Sequence, residues 1–312
     1  MADVQTDSFG LPPFLIALRT CFIVTVATLI IAGNSLSIAV TRRVTNLADS
    51  TKVLMMTLAA SDLLIGVLAL FSSVASALGR WPFSTIGCAV ASDCVNIAIS
   101  MTIFSLIGLN VDRYIAVTRP YEFPVWCTAR RVITLEVILL SVTTSSLIVA
   151  HVTGVSFKYY PASALCFFGS SSDAVNMVAL VVFDLLPTLA MTCIYSRIIR
   201  ISRQHELRNA RNNQTEGNNV RDNKALKAFL MVTLTFAACY TPFNLMRTVE
   251  GLANWTSPHW LEFLTMWLTA ANSGFNVFIY CLFNEAYRQT AKKIIHQRLQ
   301  CCMKSPVEPL NI

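Results

Sequence analysis

The sequence predicts an all-α membrane protein: a bundle of seven transmembrane helices with the N-terminus outside, plus a short amphipathic helix on the inner membrane surface. An apolar composition, seven long apolar stretches and a lopsided distribution of basic residues carry that expectation. Of 312 residues, 54% are hydrophobic and only 13% charged, and the mean hydropathy is +0.57. That is too little charge for a soluble surface and too much apolar material for a disordered chain. With 11 Gly and 11 Pro, collagen-like and low-complexity classes are excluded as well. The ten cysteines are scattered without metal-ligand spacing, which argues against a disulfide-rich scaffold.

A helix needs about 20 mostly apolar residues to cross the hydrocarbon core, and the stretches 14–40, 53–78, 89–117, 132–153, 174–199, 226–250 and 259–282 qualify. The bilayer offers no water to unpaired backbone groups, so these segments are expected as helices and not strands. Residues 1–13 lack a basic n-region and a cleavage pattern, so the first span is expected as a retained helix and not a signal peptide. Placing them outside leaves Arg19, Arg80, Lys158 and Arg247 on the outer side and the other twenty of the 24 Lys and Arg on the inner side. This is a decisive positive-inside bias. It also accounts for the net charge of +7 without nucleic acid, because the basic excess faces anionic inner-leaflet lipid.

The polar stretch Gln204 to Asn223 is expected as a cytoplasmic loop between spans five and six. No internal repeat is evident, which disfavours an inverted-repeat transporter. After span seven, Ala286, Ile294 and Ile295 alternate with Arg288, Lys292, Lys293 and Arg298, a pattern suited to a helix on the inner membrane surface. Cys301 and Cys302 follow directly, as palmitoylation sites or as two free thiols. The domain division is then 1–283 for the membrane bundle and 284–312 for the amphipathic helix and tail.

Within the spans, Asn34, Asp62, Asn110, Asp112, Arg113, Asn272, Ser273 and Asn276 are the polar groups that matter. An ionisable residue in hydrocarbon is a functional candidate by default. Asp62 is the clearest, and Asn and Ser oxygens from neighbouring helices would complete a cluster able to hold a small hard cation with water.

Together, GN at 33–34, LAASD at 58–62, WPF at 81–83, DRY at 112–114, Pro187 with Tyr195 two turns on, CYTP at 239–242 and NVFIY at 276–280 resemble a class A, rhodopsin-like G-protein-coupled receptor. The resemblance covers nearly the whole chain. Each motif alone is weak, but their order in successive spans makes the joint match specific. It implies a multi-pass plasma-membrane receptor that is not an enzyme, whose partners are a heterotrimeric G protein, an extracellular ligand and membrane lipid, with no nucleic acid.

The resemblance also implies roles for individual residues. Cys88 is implied to be bridged to Cys166, the cysteine of the second outer loop. Asp62 with Asn34, Thr102, Asn272, Ser273 and Asn276 matches a sodium pocket, with Asp62 as the charged ligand and Na+ as an allosteric ion; a hydrated network without a bound ion is the alternative. No other cofactor is implied. Arg113, flanked by Asp112 and Tyr114, matches the arginine released to meet the G protein. Asp222 sits where an acid locks that arginine to helix six, the alternative being a solvated carboxylate. Ile103, Pro187 and Phe236 match a packing triad, and Tyr195 and Tyr280 match tyrosines that swing inward on activation.

Three positions depart from the pattern. Tyr240 replaces the usual Trp of the toggle position, Val277 replaces a proline in span seven, and span four has no tryptophan. Val277 restores a backbone N–H, so span seven is expected to be stiffer there.

In the outer half, Val95 stands where amine receptors keep an aspartate, which disfavours an ordinary biogenic-amine receptor, and Ala270 stands at the retinal lysine position. The candidate ligand contacts are Asp93, Val95, Asn96, Asp184, Tyr240, Phe243, Asn244, Arg247, Glu250 and His259. Asp184, in an apolar run, is read either as a cation-binding carboxylate or as the partner of a neighbouring helix. Arg247 is read either as a contact for an acidic ligand or as the partner of Glu250 or Glu262, the pairing being favoured. Mixed signs fit a small polar ligand or short peptide. Asn254, in Asn254-Trp255-Thr256, is the expected glycosylation site. A transporter or channel is the main rival; the inner DRY with a matching acid on span six weighs against it. An enzyme lacks a His-rich cluster, paired aspartates or a Ser/His dyad.

Overall fold

The computed structural model describes residues 10–303, except 46, 154–155, 170–180, 212–216 and 254. The chain forms α1 (Pro13–Arg43), α2 (Asp49–Leu78), α3 (Ser84–Thr118), α4 (Ala129–Val152), α5 (Leu186–Arg211), α6 (Gly217–Ala253), α7 (His259–Phe283) and α8 (Glu285–Met303). A π-helical turn, Val181–Leu185, leads into α5, and a one-turn helix, Phe123–Trp126, lies in the second inner loop. Among the described residues, α1, α2, α3, α4 and α7 are long and apolar enough to cross a membrane. The outer start expected for span five, 174–180, lies outside the described residues.

The helices outrun the apolar stretches because a helix persists beyond the hydrocarbon wherever its caps and propensities allow. At the start of α4, for example, Thr128 Oγ1 accepts from Arg131 N at 3.4 Å. The expectation of a loop over Gln204 to Asn223 is corrected. α5 continues to Arg211 and α6 begins at Gly217, so most of that polar stretch is helix. Polarity there reports contact with water, and Arg, Glu, Ala and Gln remain good helix formers in it.

α3 occupies the middle of the bundle, packing on α2, α4, α5 and α6, while α1 closes against α2 and α7. Two glycines set close approaches of the kind that small residues give membrane helices. A Cβ on Gly108 would lie 2.6 Å from Leu54 Cδ2, and one on Gly66 would lie 2.8 Å from Ile30 Cγ2. One apolar cluster fills the inner half, with Leu54, Leu58, Ile103, Leu106, Phe236 and Tyr280 among its members; a smaller one near the outer face joins Ile23, Ala27, Ala69, Ala164 and Trp267. Ile133, Leu135, Val137, Ile138 and Val142 of α4 are exposed, the outward apolar side a lipid-facing helix needs.

α8 packs back on the bundle through Tyr287, Ala291 and Ile294, spaced four and three residues apart. Asn284 Oδ1 caps it by accepting from Tyr287 N at 3.1 Å. Ile295, expected on the apolar face, is exposed to 46% instead, and Tyr287 takes the buried position. In the second outer loop, β1 (Ser156–Tyr160) pairs antiparallel with β2 (Leu165–Gly169), with Tyr159 opposite Cys166. The sequence reading did not anticipate this hairpin.

Candidate functional site

Three polar levels follow one another through the bundle. At mid-depth, Asp62 of α2 is fully buried. Its carboxylate accepts from Asn276 Nδ2 of α7 at 2.8 Å and from Thr102 Oγ1 of α3 at 3.3 Å. Asn34 of α1 donates to the Ser273 carbonyl at 2.8 Å, which ties α1 to the same stretch of α7. Hydrogen bonds thus join Asp62 to Thr102 and Asn276, and Asn34 to Ser273, while Asn272 is buried on the same stretch of α7. Among the described residues, both polar atoms of the Asn272 side chain and Asn276 Oδ1 are buried without a hydrogen-bond partner. Such atoms are rare in a settled interior. Neutral oxygens around one carboxylate are the donor set a small hard cation takes.

At the inner end, Asp112 is buried and accepts three hydrogen bonds: from Ser50 Oγ at 2.8 Å, Thr51 Oγ1 at 2.7 Å and Arg113 Nη2 at 2.8 Å. Arg113 also donates to Thr51 Oγ1. The arginine is thus turned sideways toward α2. One turn deeper, Asn110 and Thr233 of α6 hydrogen-bond at 3.3 Å, linking α3 to α6 inside the bundle. Asp222 lies in the first turns of α6, and its side chain falls outside the described residues. Tyr114 is half-buried beside the inner core.

Between these levels, Ile103, Pro187 and Phe236 are all buried, and Phe236 stacks on Tyr240 at 4.3 Å between ring centroids. Tyr195 and Tyr280 belong to the inner core, the latter 5.7 Å from the Tyr287 ring of α8. α7 runs unbroken through Val277, which packs 3.4 Å from where a Cβ on Gly33 would lie.

At the outer end, Cys88 and Cys166 form a disulfide that fixes β2 to the start of α3. Asp93 pairs with His151 of α4 at 2.8 Å, and His151 stacks on Phe157. Val95 and Asn96 are half-buried on α3, with Asn96 Nδ2 donating to the Ser92 carbonyl. Phe243 and Asn244 are half-buried on α6 above Tyr240. Arg247 pairs with Glu250 at 2.9 Å and approaches Glu262 at 3.7 Å, as expected, and lies over the rings of Tyr160 and Phe243. Burial raises the Tyr160 phenol above its ordinary pKa, with the Arg247 guanidinium opposing the shift, so the phenol stays neutral. His259 is exposed at the start of α7. The Asp184 side chain, Asn254 and the side chains of Cys301 and Cys302 lie outside the described residues, although both cysteines fall in the last turn of α8.

Residues 33–280 match the family described as 7 transmembrane receptor (rhodopsin family). The chain belongs to this family. It is a multi-pass membrane receptor and not an enzyme. Its relatives include trace amine-associated receptor 13c of Danio rerio, 28% identical over 87% of this chain and 84% of that protein. The histamine H2 receptor of Rattus norvegicus is 29% identical over 90% of this chain and 80% of its own length. The human histamine H2 receptor is 28% identical over 87% and 76%.

Two charged groups of this receptor escaped the sequence reading. Glu136 of α4 is buried against α3, where Ser105 Oγ donates to its Oε1 at 3.3 Å, and its Oε2 has no partner among the described residues. An acid inside an apolar span was the available signal, the same one that marked Asp62. Arg19, counted only as an outer charge, is buried: it donates to Ser76 Oγ at 2.9 Å, to the Ser76 carbonyl at 3.1 Å and to the Pro161 carbonyl at 2.9 Å.

Proposed function

We propose that this receptor binds a small polar ligand or a short peptide at its outer end and activates heterotrimeric G protein by an outward opening of α6 at its inner end. The observation that carries this is the state of Arg113, the one cation of the DRY segment, held by Asp112 and Thr51 at the inner mouth of the bundle. A strong cation restrained by a few hydrogen bonds at the inner end of α3 is a group that can be released to meet a protein partner. The Asn110–Thr233 link is the contact that α6 must give up as it moves.

The outer end supports a ligand with polar groups of both signs. Arg247, Glu250 and Glu262 face one another near Phe243 and Tyr160. The named relatives are receptors for trace amines and histamine, but Val95 offers no charge to an amine on α3, and Asp93 is already committed to His151. An amine ligand here would take its counter-charge from another helix.

At mid-depth the Asp62 cluster fits a sodium ion. Asp62 supplies the charge, and Asn272 and Asn276 supply oxygens that lack other partners among the described residues. A bound ion would screen the buried carboxylate and hold α2, α3 and α7 together. The chain's own residues set that geometry, Thr102 and Asn276 orienting the carboxylate by their hydrogen bonds. We also infer palmitoylation at Cys301 and Cys302 and a glycan at Asn254. The test of the main reading is a screen of small amines, polar metabolites and short peptides against cells expressing the receptor, read as cAMP and calcium. A response that Arg113→Ala abolishes at equal surface expression supports it; responses that persist in that variant refute it.

A further inference from the structure

We propose that two threonines of α7, Thr265 and Thr269, form a brace across a hinge in α6, and that Thr269 is the positioning residue that sets how readily the inner part of α6 swings outward. Pro242 lies inside α6. It has no N–H to give to the carbonyl of Ala238, four residues earlier, and its ring crowds that carbonyl, so the hydrogen-bond ladder is interrupted and the helix has a pivot there. Among the described residues, α6 packs more extensively on α7 than on α3 or α5, so α7 is the surface against which that pivot works.

α6 runs outward and α7 inward, and the two threonines, about one turn apart, reach α6 on opposite sides of the proline. Thr269 Oγ1 donates to the Cys239 carbonyl at 3.2 Å, on the inner side of Pro242. Thr265 Oγ1 donates to Met246 Sδ at 3.6 Å, on the outer side. All four residues are buried, so bulk water does not compete for these contacts. On the outer side Arg247 also approaches Glu262 of α7 at 3.7 Å, which helps that segment of α6 to stay with α7 while the inner segment turns.

Each hydroxyl has one proton to donate and more than one acceptor in reach. Thr269 Oγ1 also lies 3.1 Å from the Thr265 carbonyl, and Thr265 Oγ1 lies 2.8 Å from the Leu261 carbonyl and 3.3 Å from that of Glu262. When the inner part of α6 moves away, the Thr269 proton settles wholly on its own helix and is not stranded. Release therefore costs less than breaking a contact that leaves a buried donor unpaired. The brace acts as a reversible brake on the hinge. This inference rests on the signalling reading above, in which α6 opens at its inner end.

The experiment uses the full chain in transfected cells and reads basal cAMP and calcium at matched surface expression. Thr269→Val removes the hydroxyl and keeps the shape, and Thr269→Ala takes its place where the valine variant fails to reach the surface. Thr269→Ser keeps the hydroxyl. Thr269→Val is expected to raise basal output about two- to fivefold, the lower part of the range that one neutral hydrogen bond allows, because its proton is shared. Thr269→Ser is expected to match the unsubstituted receptor, and Thr265→Val, on the side that stays with α7, to move the output less than Thr269→Val. A serine variant as active as the valine variant overturns the brace, since the methyl group and not the proton then sets the output. A larger rise from Thr265→Val overturns it too. If Thr269→Val is silent in cells where Asp112→Asn raises the output, the brace falls and the signalling reading stands. If Asp112→Asn is silent as well, both fall.

Discussion

Replacing Asp112 by Asn removes one negative charge from the inner end of α3 while keeping the side chain's shape. Asp112 is buried, and its oxygens hold Ser50, Thr51 and Arg113 at 2.7 to 2.8 Å. Asn keeps one acceptor oxygen but no charge, and an NH2 in place of the oxygen that Arg113 and Thr51 share repels the guanidinium, so the hold on Arg113 is weakened. A hydrogen bond between charged groups contributes about 1.5–3 kcal/mol when sheltered. The Arg113 side chain is 20% exposed, and water screens part of that. About 1–2 kcal/mol remains, a rise of roughly 5- to 30-fold in the ratio of active to inactive receptor. The assay is basal second-messenger output per receptor at the surface, with Ser50→Ala as a comparison that weakens the carboxylate's support without touching its charge. Ser50→Ala is expected to move the output by less than Asp112→Asn. If Asp112→Asn leaves basal output unchanged while a substitution in α6 raises it, the restraint on Arg113 does not set the resting state.

Cys88→Ser, Cys166→Ser and the double variant are expected to lose surface expression to the same degree, since each removes one bridge; a double variant worse than either single by flow cytometry would contradict this. Raising NaCl against choline chloride at constant ionic strength is expected to increase the unfolding temperature of detergent-solubilised receptor and to leave Asp62→Asn unmoved. Equal shifts in both would remove sodium from the Asp62 cluster. Glycosidase treatment is expected to shift the gel mobility of the receptor but not of Asn254→Gln, whereas a glycan mapped to Asn213 would overturn the topology.

The spans were legible because bilayer thickness acts directly on sequence: a segment of sufficient apolar length has little choice but to be a helix. The Asp62 cluster was legible for a related reason. A polar side chain in hydrocarbon demands partners, and α2, α3 and α7 each carry one at matching depth, so Asp62, Thr102 and Asn276 meet, while Asn34 of α1 finds the Ser273 carbonyl. Where water is present that compulsion lapses. The polar run after Ile201 is helix to Arg211 and again from Gly217, which its composition permits but does not require. The face of α8 was misjudged for the same reason: hydrophobicity favoured Ile295, but only the fold reveals that Tyr287 points back to the bundle.

The two charges that escaped notice show what pattern reasoning lacks. Arg19 sits within two turns of the first span's outer end, where a basic residue is ordinarily explained by contact with water or headgroups. Its burial depends on Pro161, 142 residues away in sequence. Nothing local to α1 encodes that meeting. It arises because the Cys88–Cys166 bridge pulls β2 onto α3 and the hairpin directs its turn at α1 and α7. Glu136 differs in that its signal was local and strong, an acid flanked by apolar residues on both sides in span four. The cost of a buried carboxylate requires a partner, and Ser105 on α3 supplies one for only one of its two oxygens. The rule that singled out Asp62 applies to Glu136 with equal force. The family resemblance gave Asp62 a role and none to Glu136, so α4 needed the physical criterion more than the motif.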